Sequence, residues 1–413
     1  MKRYFFACLC AVAALAACDN NSSDGPAMVN LKVEINESEL ESPLEAYNVK
    51  LTNVGTTATE TKTSVGNEAS FTVTQGVYTI LVTAETEIDG EEINVMGSKT
   101  NVVLTGTDYT VQVNVLPQLP SPLIIKETYY TGCTFKTGEV DDNGVESEST
   151  YFRDQFHEIY NNSDEVVYAD GLCIAYTVFA NYDFTQFYTW EIENADDYVF
   201  AQYIWQIEGN GTDFPIQPGE SVIIAQWASN HKADVLTKGT SPVDLSSAEF
   251  ETIEGPKELW NANITDGPAK NLALKVNVLG YDLMQWLVPV GGANLVIFKP
   301  TTPLRTENFI LASDGYNKGH EIALSDILDA VQFIDDENRI QTLGMPAFLD
   351  AGYIWCSGSY VGESIARKQA GTLTNGKIKY KDTNNTTDDF EVKTTPMIRR
   401  NDAGIPSWNT WAN

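Results

Sequence analysis

The chain has 413 residues, 43% apolar, 20% charged and 11% aromatic, which is material for two domains and too apolar for a wholly disordered chain. Acidic residues outnumber basic ones 57 to 26, for a formal charge of −31; a body so negative repels phosphate backbones, which excludes nucleic acid as a partner. Three histidines leave few candidates for a multi-histidine metal site or for a general base near neutral pH.

Met1-Lys2-Arg3 is a basic start, and the apolar stretch Tyr4 to Ala17 that follows is shorter than the roughly 20 residues that span a bilayer. It ends Leu15-Ala16-Ala17-Cys18 and turns polar at Asp19-Asn20-Asn21-Ser22-Ser23-Asp24-Gly25. Small residues before a single cysteine resemble a bacterial lipobox. That resemblance implies diacylglycerol on Cys18 and cleavage before it; an ordinary secretory signal cut nearby is the competing reading. Residues 1–17 are then a lipoprotein signal peptide and residues 18–27 a tether, and two acyl groups would hold the protein at a membrane without a spanning helix. Asp19 and Asp24 resemble the acidic export signals of Bacteroidota surface lipoproteins. The expected place is the outer membrane, on its periplasmic or cell-surface face. Cys8 and Cys10 leave with the signal, so Cys133, Cys173 and Cys356 remain, either as small buried residues or as one bridge and one thiol.

From Met28 to Leu116 the pattern has period two. Leu31-Lys32-Val33-Glu34-Ile35, Val49-Lys50-Leu51 and Tyr109-Thr110-Val111-Gln112-Val113 alternate, which puts one face in a core and one in water. Gly66-Asn67, Gln75-Gly76, Asp89-Gly90 and Gly106 break the runs, and about seven short strands in this length read as a sandwich. The segment Phe71-Thr72-Val73-Thr74-Gln75-Gly76-Val77-Tyr78-Thr79-Ile80-Leu81-Val82 resembles the F-x-V-x-x-G-x-Y-x-I-x-V strand of carboxypeptidase-regulatory, transthyretin-like domains. The resemblance implies a prealbumin-like sandwich over 28–116, a spacer or scaffold and not an enzyme.

Three prolines between Pro117 and Pro122 make residues 117–122 a semi-rigid extended linker. Beyond it, 123–413 opens Leu123-Ile124-Ile125-Lys126-Glu127 and continues through Glu158-Ile159-Tyr160-Asn161, Asp170-Gly171 and Pro218-Gly219 before the apolar Val222-Ile223-Ile224-Ala225. This order resembles a lamin-tail domain, an immunoglobulin-type β-sandwich. The ending Asp382-Thr383-Asn384 before Phe390 is similar in kind, and together the blocks resemble a Bacteroidota envelope lipoprotein family of uncharacterised function. The chain is much longer than a plain lamin tail, with insertions expected around 173–205 and 228–345. Ser325-Asp326 is positioned to cap a helix over Ile327–Phe333, with a second, weaker helix over Lys257 to Trp260. The expected class is all-β, with short helices confined to the insertions.

Motifs for catalysis are missing: there is no G-x-S-x-G, G-x-x-x-x-G-K-[ST], H-E-x-x-H or C-x-x-C, so no enzyme is expected. His231 and His320 sit in polar stretches and read as exposed. Glu158 and Asn161 read as corner residues that satisfy backbone groups, with cation binding as the alternative. Four acidic runs, at 139–144, 194–197, 335–338 and 382–389, make a structural Ca²⁺ a candidate, since Ca²⁺ takes several oxygen ligands; no other cofactor is implied.

Aromatics are the most uneven feature. All eight tryptophans lie at or beyond position 190, and aromatic residues crowd 176–205. Tyr182, Phe184, Phe187, Tyr188, Trp190 and Trp205 are the candidate ligand or partner contacts, because rings left exposed by a strand stack on sugars or partners. The Trp408-Asn409-Thr410-Trp411 tail either docks on the body or is a contact handle. The resemblance implies a binding or accessory module beside an outer-membrane receptor, such as a TonB-dependent uptake system for iron, haem or another nutrient. A glycan-binding surface lipoprotein is the alternative.

Replacing Cys18 by serine is expected to abolish acyl labelling and release the protein from the membrane fraction; membrane retention without label loss would refute the anchor.

Overall fold

In the strand Met28–Asn36, Val29, Leu31, Val33 and Ile35 are buried while the residues between them face outward, as period-two alternation requires. The computed structural model describes residues 27–412 except 57, 89–90, 119, 180–187, 234–238, 254–266, 282–287, 337–338 and 340–343. Cys18, the signal peptide, most of the tether and the Lys257–Trp260 helix therefore lie outside the described residues.

Among the described residues, Met28–Asn36 pairs antiparallel with Glu68–Thr74 and parallel with Asp108–Asn114. Facing this sheet is another, in the order Thr59–Thr63, Asn48–Asn53, Gly76–Ile88, Glu91–Leu104, Leu116–Pro117. Phe71 and Val73 from one sheet meet Ile80, Val82, Val49 and Leu51 from the other in a single core. The stretch Phe71–Val82, one strand in the motif it resembles, is two here: it turns at the Gln75-Gly76 break and its halves join opposite sheets. Gly97 is required where the chain comes back, because a Cβ there would collide with the Asn114 carbonyl. The proline-rich connector begins as part of this body, since Leu116 and Pro117 pair with Met96 and Val95.

Residues 123 onward form a second core around a seven-stranded sheet. Its order is Lys270–Asn271, Phe250–Glu251, Ser221–Ala225, Phe156–Asn161, Leu123–Tyr129, Ser364–Arg367, Phe390–Lys393. A six-stranded sheet packs on it: Ala273–Asn277, Tyr203–Gln206, Cys173–Tyr176, Gly292–Phe298, Ile327–Ile334, Ile354–Trp355. Ile125, Ile159, Val222 and Ile224 meet Ile174, Trp205, Leu295, Ile297, Val331 and Phe333 between them. The chain is an all-β sandwich fold. The stretches read as insertions supply most strands of the six-stranded sheet, so they are half of this sandwich and not appendages.

A third layer covers the far side of that sheet. Tyr198–Ala201, Lys318–Ala323 and Ile310–Leu311 form three strands, and Val199, Ala201 and Ile322 pack on Cys173, Ala175, Val296 and Phe298. The helix expected over Ile327–Phe333 is instead the strand Ile327–Ile334, antiparallel to Gly292–Phe298. With layers on both sides, six of its eight residues are buried, and a strand buried on two faces loses the alternation that separates it from a helix. Asp326 does not cap a helix; its carboxylate accepts from Thr301 N and Oγ1. Among the described residues the α-helix is Thr386–Asp389, with the Asn385 side chain accepting from Thr387 N at 3.1 Å.

The central strand Leu123–Tyr129 is buried at every residue, and polar groups on its neighbours are paired accordingly. Arg367, 4% exposed, donates twice to Asp329 at 2.7 and 2.8 Å, and also to Asp382, Asp389 and the Ile125 carbonyl. Removing one member of such a pair leaves an uncompensated buried charge. Arg367→Met is expected to lower unfolding free energy by about 3–5 kcal/mol, measured by urea denaturation; a loss indistinguishable from that of an exposed Arg305→Met control would show that the network carries no such weight.

Candidate functional site

Sequence reasoning singled out rings between 176 and 205, and the structure sorts them. Trp205 is fully buried between the two large sheets, which corrects its reading as a contact residue: its strand lies inside the sandwich, with layers on both faces. Tyr176 packs partly buried on the same core. Tyr182, Phe184 and Phe187 lie outside the described residues.

Tyr188 and Trp190 are brought together at the surface of the third layer. The Trp190 ring stacks on buried Phe200 with centroids 4.2 Å apart and planes 14° from parallel, and Tyr188 meets Trp190 edge-on at 5.7 Å. Both remain partly exposed. Glycine is required beneath them: a Cβ on Gly319 would stand 2.7 Å from the Trp190 ring and 2.9 Å from Phe200 Cβ. Backbone bonds fasten the segment to the facing strand, with Ser313 N donating to Thr189 O at 2.7 Å and Glu191 N to Leu311 O at 3.0 Å.

Two further exposed rings stand on the adjoining hairpin, apart from this pair, and sequence reasoning did not select them. Phe309 is 37% exposed and Tyr316 87% exposed, and Lys318 Nζ sits 4.3 Å over the Phe309 ring. Ile310, next to Phe309, pairs with Gly319. Asp314 closes the intervening turn by accepting from Tyr316 N, Asn317 N and Asn317 Nδ2. Those bonds, the Asn317 side chain first, hold its carboxyl below the usual range, while burial and then the Asp314 charge raise the Tyr188 phenol.

Other candidates resolve into structure. Glu158 is buried and accepts from Lys126 at 2.8 Å, Ser221 Oγ at 2.7 Å and Arg399 N at 3.0 Å. Asn161, at the strand end, donates to the Glu165 and Ile216 carbonyls and accepts from Ser163 N, as a corner residue would. Glu158 instead stands mid-strand, opposite Ile223 and Glu127, because its carboxylate is the partner of buried Lys126. Among the acidic runs, Asp141 accepts from Asn143 N and Val145 N in its own turn, Asp196 pairs with Lys99 at 2.7 Å, and Asp382 and Asp389 face Arg367. No group of three or more His, Cys, Asp or Glu is placed to hold a metal among the described residues. Cys133, Cys173 and Cys356 are free and buried, and burial pushes the Cys173 and Cys356 thiols up to about 12. The tail docks: Trp408 Nε1 donates to Pro215 O at 2.9 Å and Trp411 Nε1 to Ala248 O at 3.1 Å.

His231 and His320, expected at the surface, are buried. His231 lies in a one-turn 3-10 segment with its ring turned inward, Nδ1 meeting Tyr151 OH and Nε2 the Trp227 carbonyl, each at 2.9 Å. His320 sits on a strand of the third layer, with Nδ1 at 2.7 Å from the Glu321 carbonyl. Polar sequence neighbours hid both, because polar residues beside each histidine are exposed or half-buried while its own ring turns inward.

A family profile described as "Protein of unknown function (DUF4876)" matches residues 217–397. The crystal structure of a DUF4876 family protein from Bacteroides thetaiotaomicron VPI-5482 is 31% identical, with a TM-score of 0.61 over 93% of this chain and 99% of that chain. The chain belongs to the DUF4876 family. A further solved structure, of a "putative cell adhesion protein" from Bacteroides eggerthii DSM 20697, aligns at 10% identity over 34% of the chain and 76% of its own, with a TM-score of 0.17. No curated protein matches. This DUF4876 chain has no described helix long and apolar enough to cross a membrane.

His157, inside the seven-stranded sheet, has its pKa pushed by burial from 6.5 down to about 3. The folded value lies below the unfolded one, so the unfolded state binds the proton more readily. The contribution is complete above the unfolded value of about 6.5 and is lost as pH falls towards about 3. Roughly 2 kcal/mol is expected to be gone by about pH 5. Urea midpoints measured across this window should fall less steeply in His157→Gln than in the parent; parallel curves would contradict the assignment.

Proposed function

We propose that this DUF4876 protein is a cell-envelope lipoprotein, held at the outer membrane by acylated Cys18, that acts as a recognition or accessory module and not as a catalyst. In this reading the carboxypeptidase-regulatory-like body is a spacer and the lamin-tail-like body is presented beyond it. The working partner is an outer-membrane receptor of the TonB-dependent kind, taking up iron, haem or another nutrient.

The observation that supports it is the ledge of Tyr188 and Trp190. Large rings held partly exposed on a rigid sheet gain contact area on binding without paying much ordering entropy. Trp190 is already fixed by its stack on Phe200, so its orientation exists before any partner arrives.

A glycan-binding role is the second reading, favoured by one feature of the same ledge. The Trp190 ring lies flat against the sheet over Gly319, the orientation that offers an apolar face to the C–H side of a pyranose. Neutral sugars are not opposed by a chain of net charge −31.

Recovery of partners from intact cells through the lipidated protein, with and without Trp190→Ala, tests the first reading. Loss of a central tryptophan is expected to weaken capture by about 30-fold or more, the scale of an anchor residue worth about 2 kcal/mol. Quenching of tryptophan fluorescence by a neutral oligosaccharide, absent in Trp190→Ala, would instead select the glycan reading. Unchanged capture and no quenching would remove the ledge from both.

A further inference from the structure

Three polar side chains meet where the ladder of the seven-stranded sheet stops. Gln155 immediately precedes the strand Phe156–Asn161, Gln226 follows Ser221–Ala225, and Thr252 follows Phe250–Glu251. Backbone bonds hold them side by side: Gln226 N donates to Gln155 O at 2.9 Å, and Thr252 N to Ala225 O at 3.1 Å. Together with His157 and Val288 they line a cavity of about 10 Å³.

All three are buried, with exposures of 2%, 4% and 1% for Gln155, Gln226 and Thr252. The Gln155 amide orientation is settled, because Nε2 donates to Tyr130 O at 2.6 Å and to Val288 O at 2.8 Å. Its Oε1 then faces elsewhere and has no protein partner; nor do Gln226 Nε2 and Oε1 or Thr252 Oγ1. Buried polar atoms are almost always hydrogen-bonded, and cavities that stay empty are apolar. This one is polar on three sides.

Size and chemistry then agree on the occupant. A cavity of this volume has room for about one water, and a buried water typically makes about three hydrogen bonds to otherwise unpaired groups. Ions do not suit the site, since its three unsatisfied side chains are neutral amides and a hydroxyl.

We propose that the cavity is a binding site for a single structural water, donating to Gln155 Oε1 and accepting from Thr252 Oγ1 and Gln226 Nε2. It ties together three neighbouring strands at the end where their backbone bonds cease. The site is separate from the aromatic ledge and does not depend on it.

A crystal structure of the full chain at a resolution that orders internal waters should show one peak at hydrogen-bond distance from these three groups. In solution, oxygen-17 relaxation dispersion should count one fewer long-lived water in Thr252→Val, a substitution of nearly equal volume, and in Gln226→Leu than in the parent. Thr252→Ser, which keeps the hydroxyl, should retain it. An empty cavity, direct bonding of the Gln226 amide to Thr252, or an unchanged water count in both variants that lose a polar group would overturn the assignment.

Discussion

The strand Leu123–Tyr129 has no face in water, and the second body is arranged around that condition. One side packs on the six-stranded sheet through Ile125; the other meets Tyr160, Tyr380 and Ala403 through Ile124. The strand nevertheless carries Lys126 and Glu127. Burying such groups costs far more than burying apolar ones unless each is paired and hydrogen-bonded. Lys126 is paired with Glu158, and Glu127 receives two bonds from Arg400, at 2.8 and 2.9 Å, and one from Ser364 at 2.7 Å. The covering segments are therefore chosen by charge as much as by shape.

That arrangement explains why the carboxyl-terminal segment belongs to the fold. Arg399 and Arg400 reach buried carboxylates of the central sheet, and Trp408 packs against Phe214 and Phe250 at 5.1 and 5.9 Å. Acidic residues that looked like candidate cation ligands are, in the Asp382–Asp389 turn, the partners of Arg367. A guanidinium fork satisfies several carboxylates at once in a fixed geometry, and Arg367 does so here for Asp329, Asp382 and Asp389.

Layering also decides which rings reach the surface. The six-stranded sheet is covered on both sides, by the seven-stranded sheet and by the three-stranded layer. Rings on it, such as Trp205, serve packing. Rings on the outer layer have one free side, and Gly319 lets Trp190 lie flat there. Membership of the DUF4876 family, with a solved relative from Bacteroides thetaiotaomicron covering 93% of the chain, extends this architecture beyond one sequence without adding a ligand.

Local sequence was sufficient wherever one face of a strand meets water. The alternation of Leu31, Val33 and Ile35 determined the all-β class and the first sandwich, and Asn161 at its corner read correctly as structural, whereas Glu158 is a mid-strand partner of Lys126. It was insufficient wherever both faces are covered. Ile327–Ile334 lost its alternation and read as a helix, and His231 and His320 took their exposure from polar neighbours. Period and propensity are properties of a short stretch of chain, whereas burial on a second face depends on which other stretch arrives to cover it, and only the packed layers decide that.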